Sequence, residues 1–458
     1  MNKRTILSFC GLILAMTLCF GFISCKKETG IVIWVGAESK KFYQTKMDEW
    51  VESYKSANGG KTFPWKINVE SVDTGSAAGK FLDDTAAGAD IFTVAHDNLG
   101  KLIAGSSAIA PITNEKLLKQ IQTDNPSIFL DVIKGTVGGK EYTFGVPYIA
   151  QALVLYYNTN LLADEDVKTW EGVWAKAKGL GKQSVTINGD DGYNNSFIVL
   201  SSRESDGQRI ADIYVDKQFE NCNFNSDLAV ATMRWGQRFF TDSSSDGKVN
   251  YGAKKVGDSG WEIELANEAS LSLIGGAWNF NAARAALGSK LGIAALPTFT
   301  LTANDVSGTN IAAGTRMKSG TFADTKMFVM KKHKQGEKKA EYLEEILMYL
   351  SSKEMQEKAF AECSNLPSYK NARTEFAGIQ ADTLEGKLAK IQLIMFDSGR
   401  AQPFGANSKM NNYYYSQGAP AIVMDILTNA NNMYGTTDQI KAGMAVIETI
   451  WKTGKRPD

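Results

Sequence analysis

Val146-Pro147-Tyr148-Ile149-Ala150-Gln151-Ala152-Leu153-Val154-Leu155-Tyr156-Tyr157 is an apolar run interrupted by one amide, Gln151. It is long for one strand, since strands usually hold about five or six residues. A strand of this length can cross from one lobe of a molecule to another. Upstream of it, Ile31–Val35 between Gly30 and Gly36 reads as a buried parallel strand. Residues 40–55 place Tyr43, Met47, Trp50, Val51 and Tyr54 on one helical face. Ile67–Val72 reads as a strand, Ser76–Ala87 as a helix and Asp90–Val94 as a strand. The order β-α-β-α-β is that of an open α/β sheet. Ligands bind beyond the carboxyl ends of such strands. Residues 36–40 and 94–98 lie there and include Glu38, Ser39, Lys40, His96, Asp97 and Asn98.

Downstream the alternation resumes. Thr169 caps a helix running to Gly179. Val185–Asn188 is a strand followed by the polar loop 189–195. Helices are expected at 226–241, 261–268 and 277–287, with strands at Leu271–Ile274 and Gly292–Leu296. Residues 297–321, rich in Thr, Ser, Gly, Asn and Ala, form a linker or a second crossing. Met327–Met330 is a strand, and the remainder to Lys452 is mainly helical.

The 458-residue chain is 43 % hydrophobic and 22 % charged, an ordinary globular balance that excludes a disordered tail or a polytopic membrane protein. Lys plus Arg (50) equals Asp plus Glu (50), so no basic excess points to nucleic acid. Two His and five Cys argue against a zinc enzyme and against a disulfide scaffold.

The amino terminus reads as an address. Lys3 and Arg4 precede the uncharged run Ile6–Ile23, and Ser24-Cys25-Lys26-Lys27 follows. Length and order are those of a secretory signal over residues 1–24. The segment resembles a lipoprotein signal with a relaxed lipobox, which implies lipid attachment at Cys25 and a body held at a membrane by its acyl chains. An uncleaved transmembrane anchor is the alternative; a Cys directly after the apolar run favours the lipoprotein. Both put the body outside the cytoplasm, facing the periplasm or the cell exterior. Cys222 and Cys363 remain, either as a disulfide or as two buried thiols.

Enzyme signatures fail. Gly60-Lys61-Thr62 has Lys55 where a phosphate loop needs Gly, and Gly179-Leu180-Gly181 is followed by Ser184 in place of a third Gly. His333 lies in Lys331-Lys332-His333-Lys334, which reads as solvated surface. Asp83-Asp84 reads as helix surface, whereas Asp190-Asp191 lies beyond a strand and beside Tyr193. Two carboxylates flanking a glycosidic bond make a glycosidase. A secreted glycosidase using Asp97 and Asp191 is therefore the competing reading.

Over nearly its whole mature length, the chain resembles the extracellular solute-binding proteins of the maltose/maltodextrin group, the receptor parts of ABC importers. Gly30–Trp34 is similar to the family's first strand. Ala89-Asp90-Ile91-Phe92, Ala95-His96-Asp97 and Gly100 are similar to its third strand and ligand loop. Val146-Pro147, Ala152-Leu153 and Tyr157-Asn158 resemble the crossing segment before Asn160-Leu161-Leu162, and Thr169-Trp170-Glu171 resembles the next helix start. Gly275-Gly276-Ala277-Trp278 resembles the loop bearing a sugar-stacking Trp, and Leu296-Pro297-Thr298-Phe299 follows as in the family. Each motif is short; their order and spacing carry the likeness.

The resemblance implies an α/β, two-lobed periplasmic-binding-protein-like fold, each lobe a sheet flanked by helices, with ligand in the cleft between. It implies lobe 1 over residues 25–148 and 316–360, and a hinge crossing at 149–155. Lobe 2 would take 156–315, with 361–458 supplying more of it and the C-terminal helices. It also implies a monomeric receptor that works without catalysis, cofactor or metal. Its partners would be a small carbohydrate and membrane ABC permease subunits, with no nucleic acid.

By the same resemblance, Asp97 matches a hydroxyl-binding Asp, and Glu38 stands where the family has a sugar-binding Asp. Gln151 replaces a Glu, keeping hydrogen bonding without the charge. Tyr193 and Trp278 match stacking rings, and Asp191 a nearby Glu. Tyr413–Tyr415 cover another Trp-Tyr pair, with Tyr414 and Tyr415 as the contacts. Val94 replaces a Trp and Asn98 an Arg, which leaves fewer aromatic walls and admits another oligosaccharide or a monosaccharide. Carboxylates and amides suit sugar hydroxyls, and rings suit the C–H faces of a pyranose. A receptor for a non-sugar solute would use carboxylates instead of rings.

Each residue also has a plainer reading. Asp97 could cap the following helix. Trp278 could be core, as Trp34 reads. A backbone group could satisfy Gln151. Tyr193 could be exposed on its polar loop. Three consecutive Tyr cannot share one face.

Overall fold

The computed structural model describes residues 30–188, 192–211, 222–256, 260–334, 337–370, 382–400, 402 and 410–457. Residues 1–29, with Cys25, and Asp190 and Asp191 lie outside the described residues.

Strands β1 (Ile31–Val35), β2 (Ile67–Ser71) and β3 (Ile91–Ala95) run parallel with β1 in the middle. Helix Lys40–Ala57 turns Tyr43 and Met47 into the core beneath them. The following helix, Ala77–Asp83, stops short of the expected Ala87. The Asp84 carboxylate accepts from the N–H groups of Ala86 and Ala87, each at 3.0 Å. This local turn competes with the helix and ends it.

After β4 (Ile109–Ala110) and the hairpin β5 (Lys134–Val137) and β6 (Lys140–Thr143), β7 (Val146–Gln151) joins the first sheet. Its partner is β16 (Asp324–Lys331), which returns from the far half of the chain and lies antiparallel to β3, β4 and β7. β7 sits off the main path of this sheet, an edge position that accommodates Pro147.

The apolar run 146–157 is therefore two strands, not one. β8 (Val154–Asn158) belongs to a second sheet, antiparallel to β12 (Ser270–Gly275) and β13 (Leu291–Ala294). β9 (Gln183–Asn188) and β11 (Ala253–Val256) complete it, in the order β11-β9-β12-β8-β13. Each sheet imposes its own twist, and the chain breaks pairing to pass between them. The break is at Ala152-Leu153. There the Leu153 N–H donates to Thr321 Oγ1 at 2.9 Å. Residues 297–321 hold more order than a linker. β14 (Thr298–Thr300), β15 (Arg316–Lys318) and β10 (Ser202–Arg203) form a small third sheet.

Thr321 marks the second crossing, and residues 399, 400 and 402 run beside it as a third. Phe322 bridges Arg400 in parallel, Ala323 N donates to Arg400 O (2.9 Å) and Arg400 N to Thr321 O (3.1 Å). Met317 and Phe322 both pack in the second core, and β16 from Met327 onward packs in the first. Residues 361–369 also stay near lobe 1: Cys363 lies in its core and Ala150 N donates to Leu366 O at 2.8 Å.

Each lobe has its own core. Phe92, Tyr43 and Phe328 centre the first; Trp170, Trp235 and Phe239 centre the second. Cys363 is buried in the first and Cys222 in the second, so the two thiols sit in different cores.

Candidate functional site

The carboxyl ends of β1, β2, β3 and β7 share one edge of the first sheet, and the chain leaves that edge for lobe 2. In the second sheet, Gly275 at the end of β12 pairs with Val154 at the start of β8, so its carboxyl edge faces back toward lobe 1. The two edges form a cleft floored by the three crossings.

Lobe 1 supplies polar groups. Glu38 is exposed after β1, and its carboxylate folds back over Gly36, where a Cβ would stand 2.3 Å from Oε1. Asp97 is half-buried after β3, and its Oδ1 accepts from Asn98 Nδ2 at 3.0 Å. The helix Leu99–Ile103 begins at Asn98 without a side-chain cap, so helix capping does not account for this pair. Gln151 ends β7, opposite Asp324, and is only 7 % exposed. Its amide finds no hydrogen-bond partner among the described residues.

Lobe 2 supplies rings. Trp278 is 45 % exposed and lies over Gly276, where a Cβ would stand 2.1 Å from its ring. Gly276 is fixed by Tyr156 Oη donating to its carbonyl (2.8 Å) and by its own N–H donating to Asn279 Oδ1 (3.1 Å). Tyr193 meets Trp278 edge-on, with centroids 5.6 Å apart, and leans on Phe322 at 5.4 Å. It is thus wedged at the cleft floor instead of waving on a polar loop. The half-buried Tyr415 donates from Oη to Gln402 Oε1 at 2.7 Å.

Two expectations need correction. Tyr414 is 3 % exposed and stacks on Phe224 (6.0 Å, 18°) in the second core, so it does not line the cleft. Tyr413 rests against Gly454 instead. His333 is not solvated surface: its side chain is 5 % exposed, with Nε2 3.2 Å from Asp90 Oδ1 and Nδ1 2.5 Å from Glu337 Oε2.

Sequence reasoning missed Asp324 and Gln402. Gln402 donates from N (3.0 Å) and Nε2 (2.7 Å) to the Asp324 carboxylate. His96 Nε2 lies 2.9 Å from Gln402 O and 3.6 Å from Asp324 Oδ1. Burial raises the pKa of Asp324 against the opposing pull of His96 and Gln402. Burial likewise raises the Tyr193 phenol, helped by Asp324, Tyr415 and Asp97 around it. Two residues along β16, burial lowers the pKa of Lys326, with Glu38 and Asp73 opposing. The one sequence signal was a carboxylate heading an apolar strand. Among the described residues no cluster of His, Cys, Asp and Glu could hold a metal ion.

The family model described as bacterial extracellular solute-binding protein matches residues 49–384. No curated protein sequence matches the chain. Solved structures do. The maltodextrin-binding protein MalE1 from L. casei BL23, without ligand, is 18 % identical with a TM-score of 0.69, covering 93 % of this chain and 99 % of that one. A structure with acarbose is 18 % identical at TM-score 0.70, with coverage of 93 % and 99 %. A cyclo/maltodextrin-binding protein complexed with maltotetraose is 19 % identical at TM-score 0.63, with coverage of 94 % and 98 %. At these identities the structures share the two-lobed fold. The family is one of binding proteins, which sets the glycosidase reading aside. The chain belongs to the bacterial extracellular solute-binding proteins, an exported family that binds solutes and does not transform them.

Proposed function

We propose that this protein is the carbohydrate receptor of an ABC importer. It takes an oligosaccharide of the maltodextrin type into the cleft and presents it to membrane permease subunits. The protein acts as a monomer held at the membrane through lipid on Cys25. The observation that carries the reading is the exposed Trp278, propped by Gly276 beside Tyr193 and set across from Asp97. Rings pack on the C–H faces of a pyranose, while Glu38, Asp97, Asn98 and Gln151 offer carboxylate and amide groups to its hydroxyls. Asp191, two residues before Tyr193 in the sequence, is assigned to the same set by the family resemblance alone. Rotation of the lobes about the crossings would exclude water from the bound sugar. The ligands in the structural relatives, acarbose and maltotetraose, agree with this chemistry.

The test is a tryptophan-fluorescence titration of Lys26–Asp458 with glucose, galactose, maltose and longer glucans, followed by chromatography of the sugar. The expected result is saturable binding of one sugar, recovered unaltered, with affinity reduced about tenfold or more in Trp278→Ala. Silence toward every sugar overturns the carbohydrate assignment and turns the search to non-sugar solutes. Mass spectrometry of the membrane-extracted protein tests the lipid on Cys25.

A further inference from the structure

Asp324 lies in neither wall of the cleft but beneath both. It heads β16 of lobe 1 and is 1 % exposed. Around it stand His96 from the end of β3, Gln151 opposite it on β7, Gln402 from the third crossing and Tyr193 from lobe 2. Tyr415 reaches it through Gln402: Tyr415 Oη donates to Gln402 Oε1, and Gln402 Nε2 donates to Asp324 Oδ2. Both lobe 2 rings nearest the crossings are thus referenced to one lobe 1 carboxyl group.

We infer that Asp324 is a positioning residue for ligand binding: it sets the ring of Tyr193 directly and that of Tyr415 through Gln402, and so assembles the stacking wall against which Trp278 rests. This rests on the cleft being the ligand site proposed above. The titratable groups facing Asp324 are His96, Asp97 and Tyr193, with Tyr415 one hydrogen bond further.

The arrangement has a pH sense. A carboxyl whose pKa is raised by burial favours its buried arrangement fully below the ordinary carboxylate pKa. That advantage is lost as pH rises through the raised value. Ionisation then places a buried charge where Tyr193, Gln402 and His96 meet, and the seat of Tyr193 shifts with the rearranged hydrogen bonds.

The first test needs no ligand. The protein is labelled with 5-fluorotryptophan, and the Trp278 fluorine resonance is assigned by its loss in Trp278→Phe. It is then followed from about pH 4 to about pH 8, spanning raised carboxylate values. Wild type should show a titration step that Asp324→Asn abolishes. A step that persists in Asp324→Asn and disappears in His96→Gln overturns the assignment. Tyr193→Phe removes only the hydroxyl, and so decides the matter if Asp324→Asn does not fold. It should flatten the step, and an unchanged step contradicts the direct link. The second test is calorimetry with maltotriose. Affinity should fall about threefold or more between about pH 5 and about pH 8 in wild type, and stay level in Asp324→Asn. Equal affinities at both pH values in wild type also overturn the inference. Failure of maltotriose to bind wild type at either pH counts against the sugar reading, while the fluorine resonance still decides Asp324.

Discussion

Trp278 stays exposed because its neighbour is glycine. Its ring occupies the volume that any Cβ at residue 276 would need, and so it is offered to the cleft rather than to the core. Tyr414 shows the opposite fate for an aromatic in the same predicted set. It is sandwiched toward Phe224 and Trp451, and burial pushes its phenol well above the ordinary tyrosine value. Tyr414→Ala should lower unfolding stability by about 3–5 kcal/mol, the usual cost of deleting a buried ring. Sugar affinity at temperatures where the variant is folded should fall far less than in Trp278→Ala, since Tyr414 reaches the cleft only through Tyr415 (5.3 Å); denaturant titration and calorimetry separate the two effects. The residue types of the cleft were legible in the sequence, and so was the edge on which Asp97 and Trp278 stand. The orientation of three consecutive Tyr was not, because it depends on Phe224, Trp451 and Gly454, which come from other elements. Asp324 was unreadable for the same reason, since its partners arrive from β3, lobe 2 and the third crossing.

Among elements, the crossing is where the sequence said most and misjudged one detail. A continuous apolar run predicts a continuous strand. Two sheets with separate twists require a break, and the break leaves a buried N–H at Leu153 that only a side chain can take. Thr321 Oγ1 accepts it, and its own O–H donates to Phe322 O at 2.8 Å. Thr321→Val keeps the shape and removes the acceptor. It should cost about 1–3 kcal/mol, read as a shift in denaturant midpoint, and should loosen the hinge more than either lobe, read by amide exchange at Leu153. At the far end of the same strands, Asp90 accepts from Val32 N (2.9 Å) and pairs with His333 and Lys339. Burial would raise its pKa, yet these partners outweigh burial and lower it. A lowered carboxylate pKa gives stability that is present above the unfolded value and lost as pH falls through the folded one. Asp90→Asn should therefore cost about 1.5–3 kcal/mol at neutral pH, and wild type and variant should converge in acid; urea titrations at the two extremes test this. The charge pattern around His333 suggested surface because Asp90, its buried partner, is distant in sequence.

At the scale of the molecule, two cores carry two separate thiols. Cys222 and Cys363 belong to different lobes, and burial pushes the Cys363 thiol up to about 11. The native Lys26–Asp458 chain should react with a thiol reagent slowly or not at all at neutral pH. The denatured chain should yield two thiols without reductant; zero would mean a disulfide and overturn the separation of the cores. The lobes themselves are discontinuous in sequence. The first sheet is completed by β16, whose Lys326 pairs with Ala95 of β3, with all of β8 to β15 intervening. A chain emerging amino end first has made β1, β2 and β3 long before it owns the strand that closes their sheet. Until Lys331 has appeared, lobe 1 can only be an unfinished, open-edged layer, and the entropy of closing so long a loop delays it further. For a protein destined for the far side of a membrane that delay has a use. A first lobe that stays open until residue 331 has been made keeps the chain threadable for longer than a lobe contiguous in sequence would.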